Sequence, residues 1–355
     1  MGHLAIVNEV SFNDVLQTGY ISTGGKLGQQ MVRTISDLLA DALAVRRDDF
    51  IFPWMTGGTR GTCGFQHVFK AAGTPVFMKG QLFPIKIPIQ REGKKFGRFL
   101  PEYEAVDLWD SKLLWNAIGK KSIGRGRSIT HQTPMEDIKL KEMMETKAFD
   151  KNMPVESVNV IMNDSVRGVP ISIDASRDKW DNKLKELLDK TDENKRLSCL
   201  DLNGVPWRNG DRFQTEKTLE AWLMENIDKD SCGQLRDILL KDGEKIDWFG
   251  NNLPFGVQGS AMDMIIVHST REKMRCTVIE LKVKGESEIE LDKDVLQVSG
   301  YQKFIRSAFA HYNQNVEVLP VILTGKNKSV IYKKCPRLVQ YEISTSGKVS
   351  FMEMK

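Results

Sequence analysis

Two apolar runs joined by a short polar loop constrain the fold of this chain more than any other stretch; they are Met262–Val267 and Cys276–Val283. With the two-residue period of a strand, the second run places Glu280 and Lys282 on one face, among apolar neighbours. A strand in such surroundings rarely carries adjacent charges without partners, because burying an unpaired charge is costly. The charged face of the second run therefore marks a candidate functional site.

The polar loop from His268 to Arg275 predicts that the two runs form a β-hairpin. If the hairpin is symmetric about this loop, the first and last loop residues face each other and Asp263 lies across from Glu280. A bulge would shift this register. The predicted register brings two carboxylates and the Lys282 ammonium to one end of a small sheet.

Two carboxylates held this close repel each other, and the usual remedies are a shared proton or a divalent cation. Mg²⁺ uses one or two carboxylates together with waters and substrate phosphate oxygens. A cation placed there lowers the pKa of a bound water, and Lys282 would orient that water or stabilise the transition state. The alternative interpretation is a structural ion cluster of Asp263, Lys282 and Glu280 on a solvated sheet face.

The order of an aspartate, a hairpin and Glu-x-Lys in these two strands resembles the pattern of the PD-(D/E)XK nuclease superfamily. The motif Gln297-x-x-x-Tyr301, just downstream, resembles the RecB-like branch of that superfamily. The segment from about residue 212 to 325 is similar to the catalytic domain of the archaeal mismatch-specific endonucleases. The resemblance implies a restriction-endonuclease-like α/β domain, with a mixed central sheet flanked by helices, that cleaves DNA with a metal ion.

The resemblance also implies a role for each charged residue of the hairpin. Asp263 and Glu280 would bind Mg²⁺ or Mn²⁺, with the carbonyl of Leu281 as a further ligand. Lys282 would orient the attacking water.

Two helices would complete the site. An earlier helix supplies a further acid, for which Glu216 matches the family pattern and Glu220 is held in reserve. Glu216 also has a purely structural reason to lie there, since negative charge is favoured at a helix N-terminus. A helix after the hairpin carries Gln297 and Tyr301, which share a face and would support the active site and touch DNA.

Composition excludes several classes of protein. With 41% hydrophobic and 28% charged residues, the chain is typical of soluble globular proteins. No apolar run reaches the length of a membrane span, and the N-terminus lacks the features of a signal peptide, so we expect a cytoplasmic protein without membrane contact. The five cysteines lie singly, which argues against a zinc site or a disulfide framework. The net charge of +4 is compatible with nucleic-acid binding.

The 355 residues are enough for two domains. We expect an N-terminal α+β domain over residues 1–175 that recognises DNA. A charged connector helix and a turn occupy residues 176–210, and the nuclease domain occupies residues 211–355.

Residues 50–110 contain short strand candidates punctuated by glycine and proline, which favours a small barrel or a strongly curved sheet. Pro84 and Pro88 predict that the run Phe83–Gln90 is an edge strand or a bend. This segment faintly resembles the PUA-like barrels, some of which read modified bases. The glycine-rich loop Gly57–Gly64 lacks the phosphate-binding fingerprints, so no nucleotide cofactor is expected.

The stretch between Asp110 and Glu136 contains no acidic residue, and its core is a glycine-rich basic loop. The predicted DNA contacts in this loop are Lys120, Lys121, Arg125 and Arg127. Arginine offers bidentate contacts to phosphate, and glycine lets backbone amides approach it. The alternative is a solvated loop that only keeps the protein soluble.

The predicted function is metal-dependent hydrolysis of double-stranded DNA by a restriction-type endonuclease. A homodimer is expected, because cutting both strands needs two active sites or two encounters. Mismatch specificity does not carry over, since the small N-terminal barrel of the mismatch endonucleases is not evident and Ser350–Lys355 shows no sliding-clamp peptide. A repair nuclease for mismatched or branched DNA and a non-catalytic nucleic-acid-binding protein are the alternatives.

Overall fold

The structure is a computed structural model of the chain. The described residues are 1–23, 39–55, 63–66, 68–77, 85–91, 98–101, 104–105, 129–150, 158–159, 170–171, 207–255, 260–270, 273–284, 288–310, 316–326 and 337–354. The chain divides into two compact units: unit 1 is Met1–Gln29 with Val45–Cys199, and unit 2 is Gln30–Ala44 with Leu200–Lys355. No helix in the described part is long and apolar enough to cross a membrane.

The two units are not two consecutive stretches of the chain, because one segment from the N-terminal part is grouped with unit 2. The boundary after Cys199 lies inside the predicted connector, residues 176–210, whose helix is outside the described residues. Gln30–Ala44 belongs to unit 2, whereas its place in the chain predicts the N-terminal domain. The described part of this segment, residues 39–43, is helical and buried. An apolar helix stripe predicts that a helix is buried, but it does not indicate which core the helix joins.

Unit 1 combines a mixed sheet with two described helices, α1 (Glu9–Thr18) and α2 (Pro134–Thr146). Its sheet strands are β1 (Gly2–Val7), β2 (Tyr20–Thr23), β3 (Phe50–Met55), β4 (Gly64–Phe65), β5 (Phe69–Ala71), β6 (Val76–Phe77), β7 (Ile85–Arg91), β8 (Arg98–Pro101), β9 (Ile129–His131) and β10 (Phe149–Asp150). β1 pairs in parallel with β3, and the other described pairings are antiparallel. β11 (Val158–Asn159) and β12 (Pro170–Ile171) form a separate antiparallel pair.

Local sequence explains where α2 begins. Thr133 caps the helix by accepting a hydrogen bond from the Glu136 amide, and the Glu136 carboxylate accepts one from the Thr133 amide at 2.7 Å. Pro134 follows the cap, where a helix does not need its missing N–H. The helix adds Leu140 and Met143 to a core that includes Phe52.

Strand β7 lies inside the sheet of unit 1, so of the two predictions, an edge strand or a bend, the edge strand is wrong. It pairs with β2 on one side and with β5 and β6 on the other. The Pro88 carbonyl accepts from the Ala72 amide at 2.8 Å, in the gap between β5 and β6. Because the N and C=O of one strand residue point to the same side, the missing N–H of Pro88 falls in this gap and costs no ladder bond. Pro84 lies outside the described residues.

Unit 2 contains the helices α3 (Glu216–Asn226), α4 (Gly233–Leu239) and α5 (Glu288–Ala310). A short hairpin, β13 (Arg208–Asn209) and β14 (Arg212–Phe213), precedes a sheet of β15 (Lys245–Phe255), β16 (Ser260–Ser269), β17 (Met274–Leu281), β18 (Glu317–Gly325), β19 (Leu338–Ile343) and β20 (Val349–Met354). The strands of the sheet lie in chain order. β15, β16 and β17 are antiparallel, β17, β18 and β19 are parallel, and β20 returns antiparallel.

Strand β17 lies in the middle of this mixed sheet, with α5 against β17 and β18 and with α3 against β15 and β17. Consistent with that position, the residues from Arg275 to Leu281 are all buried. In an antiparallel strand with one solvated face, buried and exposed residues would alternate instead. The mixed sheet with its helices confirms the α/β class. The charged residues at the end of β17 therefore lie where two helices and a neighbouring strand can reach them.

Candidate active site

The β16–β17 hairpin has the predicted register. His268 pairs with Arg275, and Met264 pairs with Ile279 at the other end of the ladder. Asp263 and Glu280 are the next residues on the two strands, and the Asp263 carboxylate accepts a hydrogen bond from the Leu281 amide at 2.9 Å. The described ladder ends at Met264 and Ile279, so the predicted position of Asp263 across from Glu280 lies one residue beyond it.

A buried ion cluster at the loop end fixes this register. The Nδ1 and Nε2 atoms of His268 lie 2.9 Å from Glu244 and 2.9 Å from Thr277, and the Arg275 guanidinium donates to Glu244 at 2.8 Å. Burial lowers the pKa of His268, partly against the Glu244 charge, so the imidazole is neutral at physiological pH. A slip by one residue would break all of these contacts.

Glu280 is buried and accepts hydrogen bonds from three side chains. The Lys282 ammonium donates at 2.7 Å, and Gln297 and the Tyr301 hydroxyl donate at 3.0 Å each. Gln297 also donates to the Tyr301 hydroxyl. Burial, and then the charge of Asp263, raise the pKa of Glu280 to about 7 despite these donors. These three donors hold the Glu280 carboxylate in one orientation. Its raised pKa means that they do not fully offset the cost of ionising it at this buried position.

Lys282 follows directly after β17 and lies among three carboxylates. Its Nζ is 2.7 Å from Glu280 and 3.7 Å from both Glu216 and Asp294. Burial lowers the pKa of Lys282, but the carboxylates together outweigh it, and the net shift is above the ordinary value. The side chain is therefore a fixed cation at this site.

The residue that sequence reasoning missed is Asp294, on α5. It is buried, with 6% of its surface exposed, and its carboxylate faces the Lys282 ammonium. A signal for it exists in the sequence, because Asp294 lies three residues before Gln297 and seven before Tyr301, on the same helix face.

The two candidate glutamates of α3 have different surroundings. Glu216 is half exposed and lies near Lys282, and burial followed by the Asp263 charge raises its pKa, against the Lys282 charge. Glu220 is buried and accepts from Asn251, Asn252 and Lys217. Of the two, Glu216 is the one placed beside Lys282, as the family pattern predicts.

Glu220 instead connects α3 to β15. Its partner Asn252 has a positive φ of 50°, a conformation that few residues other than glycine adopt. Burial is the largest influence on Glu220 and raises its pKa to about 7, although Lys217 and Asn251 oppose the shift. The ionised carboxylate is therefore a source of instability in the folded protein.

We expect Glu220→Gln to change how stability depends on pH. Because the folded-state pKa of Glu220 lies above its ordinary value of 4.5, its contribution to stability is complete below about pH 4.5 and is lost as the pH rises through about 7. Wild type and variant should therefore unfold at similar temperatures near pH 5, and the variant at a higher temperature near pH 8. Thermal denaturation in EDTA measures this.

The matched control is Glu342→Gln, since Glu342 is exposed on β19. Its unfolding temperature should follow that of the wild type across the same range. A Glu220→Gln variant less stable than the wild type near pH 8 would show that the ionised Glu220 is net stabilising.

The donor set of this site fits a hard divalent cation. Asp263 and Glu280 present carboxylate oxygens, and burial with mutual repulsion leaves Glu280 short of positive charge. Leu281 donates its amide to Asp263, so its carbonyl also points toward β16. Within the described residues, no three His, Cys, Asp or Glu side chains are grouped to hold a metal ion. Water and substrate phosphate oxygens would therefore complete the coordination of Mg²⁺.

The predicted DNA-contact residues of the basic loop, Lys120, Lys121, Arg125 and Arg127, lie outside the described residues. Neither a protein-family model nor a curated protein matches the chain. A functional conclusion therefore depends on the chemistry of the site itself.

Proposed function

We propose that this chain is a metal-dependent endonuclease that hydrolyses phosphodiester bonds of double-stranded DNA. One observation carries the proposal: Asp263, Glu280 and Lys282 meet at one end of a hairpin, where α5 holds Glu280 through Gln297 and Tyr301. In a purely structural ion cluster, the positive and negative charges would balance. Here burial and the neighbouring Asp263 charge raise the pKa of Glu280, so the negative charge of the site is not fully balanced. Such a pattern is typical of a site that takes a cation.

Asp263 and Glu280 would hold Mg²⁺ or Mn²⁺. The ion would neutralise charge on the phosphate and acidify a bound water. The Leu281 amide keeps the Asp263 carboxylate directed into the site. Gln297 and Tyr301 likewise hold the Glu280 carboxylate in place, so its orientation does not depend on a bound substrate.

The Lys282 ammonium would orient the attacking water and stabilise the negative charge that develops on the phosphate oxygens. Its charge is permanent at neutral pH, because the surrounding carboxylates raise its pKa. A charged donor that is already held in the site needs little reorganisation during the chemical step. Glu216, half exposed beside Lys282, would hold a second ion or the waters of the first.

The deciding experiment is incubation of the purified protein with supercoiled plasmid in Mg²⁺, Mn²⁺ or EDTA. We expect nicked or linear products only with the metal ions. Parallel incubations with plain, mismatched and branched duplexes separate a restriction-type enzyme from a repair nuclease. Incubations with methylated and unmethylated genomic DNA test whether cleavage depends on base modification. Binding without cleavage in either metal would overturn the proposal in favour of a non-catalytic DNA-binding protein.

We further propose that the part of the chain before the nuclease domain recognises DNA, through the basic loop of Lys120, Lys121, Arg125 and Arg127. Replacing all four with alanine should weaken binding to specific and unrelated sequences alike. Each lost phosphate contact should flatten the dependence of log K on log salt by roughly 0.9, so four contacts remove about 3.6. Fluorescence-anisotropy titrations over a series of salt concentrations measure this slope.

A lost sequence preference with an unchanged slope would mean that the loop reads bases. Unchanged affinity and slope in a folded quadruple variant would make the loop a solvated connection only. The control is Lys139→Ala, a lysine of α2 outside the loop.

The proposal also includes a homodimer that cleaves both DNA strands in the cytoplasm. Sedimentation with and without DNA tests the oligomeric state.

A further inference from the structure

Asp294 is a buried carboxylate whose oxygen faces the Lys282 ammonium. It lies on α5, one turn before Gln297, and its Oδ1 is 3.7 Å from Lys282 Nζ. Glu280 holds the same ammonium at the shorter distance of 2.7 Å. Lys282 thus has one close carboxylate partner and two more, Asp294 and Glu216, at 3.7 Å.

The close partner is also the proposed metal ligand. Lys282 therefore occupies, on Glu280 Oε1, an oxygen that a divalent cation would need. A cation bound there would compete with the ammonium for that oxygen, and Lys282 would then need another carboxylate partner. Its side chain is only 16% exposed, so water does not readily replace the lost partner.

We propose that Asp294 is a positioning residue that receives the Lys282 ammonium when a divalent cation takes the Glu280 carboxylate. The inference rests on the proposed function. A shift of Nζ by about 1 Å turns the 3.7 Å separation into a charge-assisted hydrogen bond. Asp294 thereby lowers the cost of moving Lys282 and keeps the ammonium in the site.

Glu216 is at the same distance from Lys282 but is less suited to this role. Its side chain is 50% exposed, so solvent screens its charge, whereas the Asp294 side chain is 9% exposed. Asp294 is also anchored within α5, while Glu216 is the first residue of α3. The buried partner holds the ammonium in a defined position.

The test is direct measurement of Ca²⁺ binding by isothermal titration calorimetry, with Ca²⁺ as a probe of the same oxygens. Asp294→Asn should weaken Ca²⁺ binding by roughly 5- to 150-fold, the usual range for coupling between two sites, because Lys282 then stays on Glu280. In a Lys282→Met background the same substitution should have no effect. Asp294→Glu should restore binding, and Asp292→Asn on the same helix is the control.

Equal weakening in both backgrounds would make Asp294 a direct ligand and overturn the inference. Unchanged Ca²⁺ affinity of folded Asp294→Asn would make Asp294 purely structural, and it would leave the nuclease proposal intact. No Ca²⁺ or Mn²⁺ binding by the wild type would overturn both. If Asp294→Asn does not fold, Asp294→Ser enters the same comparison.

Discussion

Asp263→Ala and Glu280→Ala are each expected to abolish Mg²⁺-dependent cleavage, while DNA binding stays within about one order of magnitude of the wild type. Asp263 and Glu280 lie directly beyond the last pair of the hairpin ladder, and their proposed role is metal chemistry. Neither side chain is needed to attract the polyanionic DNA. Plasmid cleavage in Mg²⁺ and anisotropy binding in Ca²⁺ separate the two effects.

The isosteric substitution Glu280→Gln makes this result interpretable, because alanine also removes a buried side chain. It keeps the shape and the contacts with Gln297 and Tyr301 but cannot carry the charge. The control is Glu342→Gln on β19, an exposed position that should cleave like the wild type. Substantial Mg²⁺-dependent cleavage by purified Asp263→Ala protein would show that the active site is elsewhere.

Lys282→Ala should lower kcat by roughly 10²- to 10³-fold, about 2.7–4 kcal/mol, if its loss resembles that of one oxyanion donor. The physical reason is that Lys282 is a buried cation whose position is set by three carboxylates. Little change is expected in the KM for DNA, because an interaction made in the transition state alters kcat without altering ground-state binding.

Single-turnover cleavage rates measured with saturating enzyme isolate the chemical step. The matched control is Lys326→Ala, since Lys326 is a partly exposed lysine of the same unit that pairs with Glu342. A Lys282→Ala enzyme with a raised KM and an unchanged kcat would assign Lys282 to DNA binding.

Much of unit 2 could be predicted from local sequence. Two apolar runs on either side of a polar loop specify the hairpin, and the buried contacts of His268 and Arg275 fix its register. The spacing of Gln297 and Tyr301 predicts a shared helix face, and both side chains contact Glu280. Periodicity reports such features reliably because they depend on neighbours in the same element.

Other features did not follow from local pattern. Pro88 predicts an edge strand or a bend, yet β7 is an internal strand, since the gap between two partner strands accommodates the missing N–H. Residues 39–43 are buried, but the membership of Gln30–Ala44 in unit 2 does not follow from its place in the chain. In each case the outcome depends on which elements pack together, which a single segment does not encode.

By itself, the sequence determined the hairpin, because strand period and loop position are local properties, whereas the α/β class was what the family resemblance implied. Only the tertiary structure decided that Glu216 rather than Glu220 approaches Lys282, and that Asp294 faces it as well. The physical reason is that a helical pattern specifies which residues share a face. The docking of that helix on the sheet then decides which of those residues reach the end of β17.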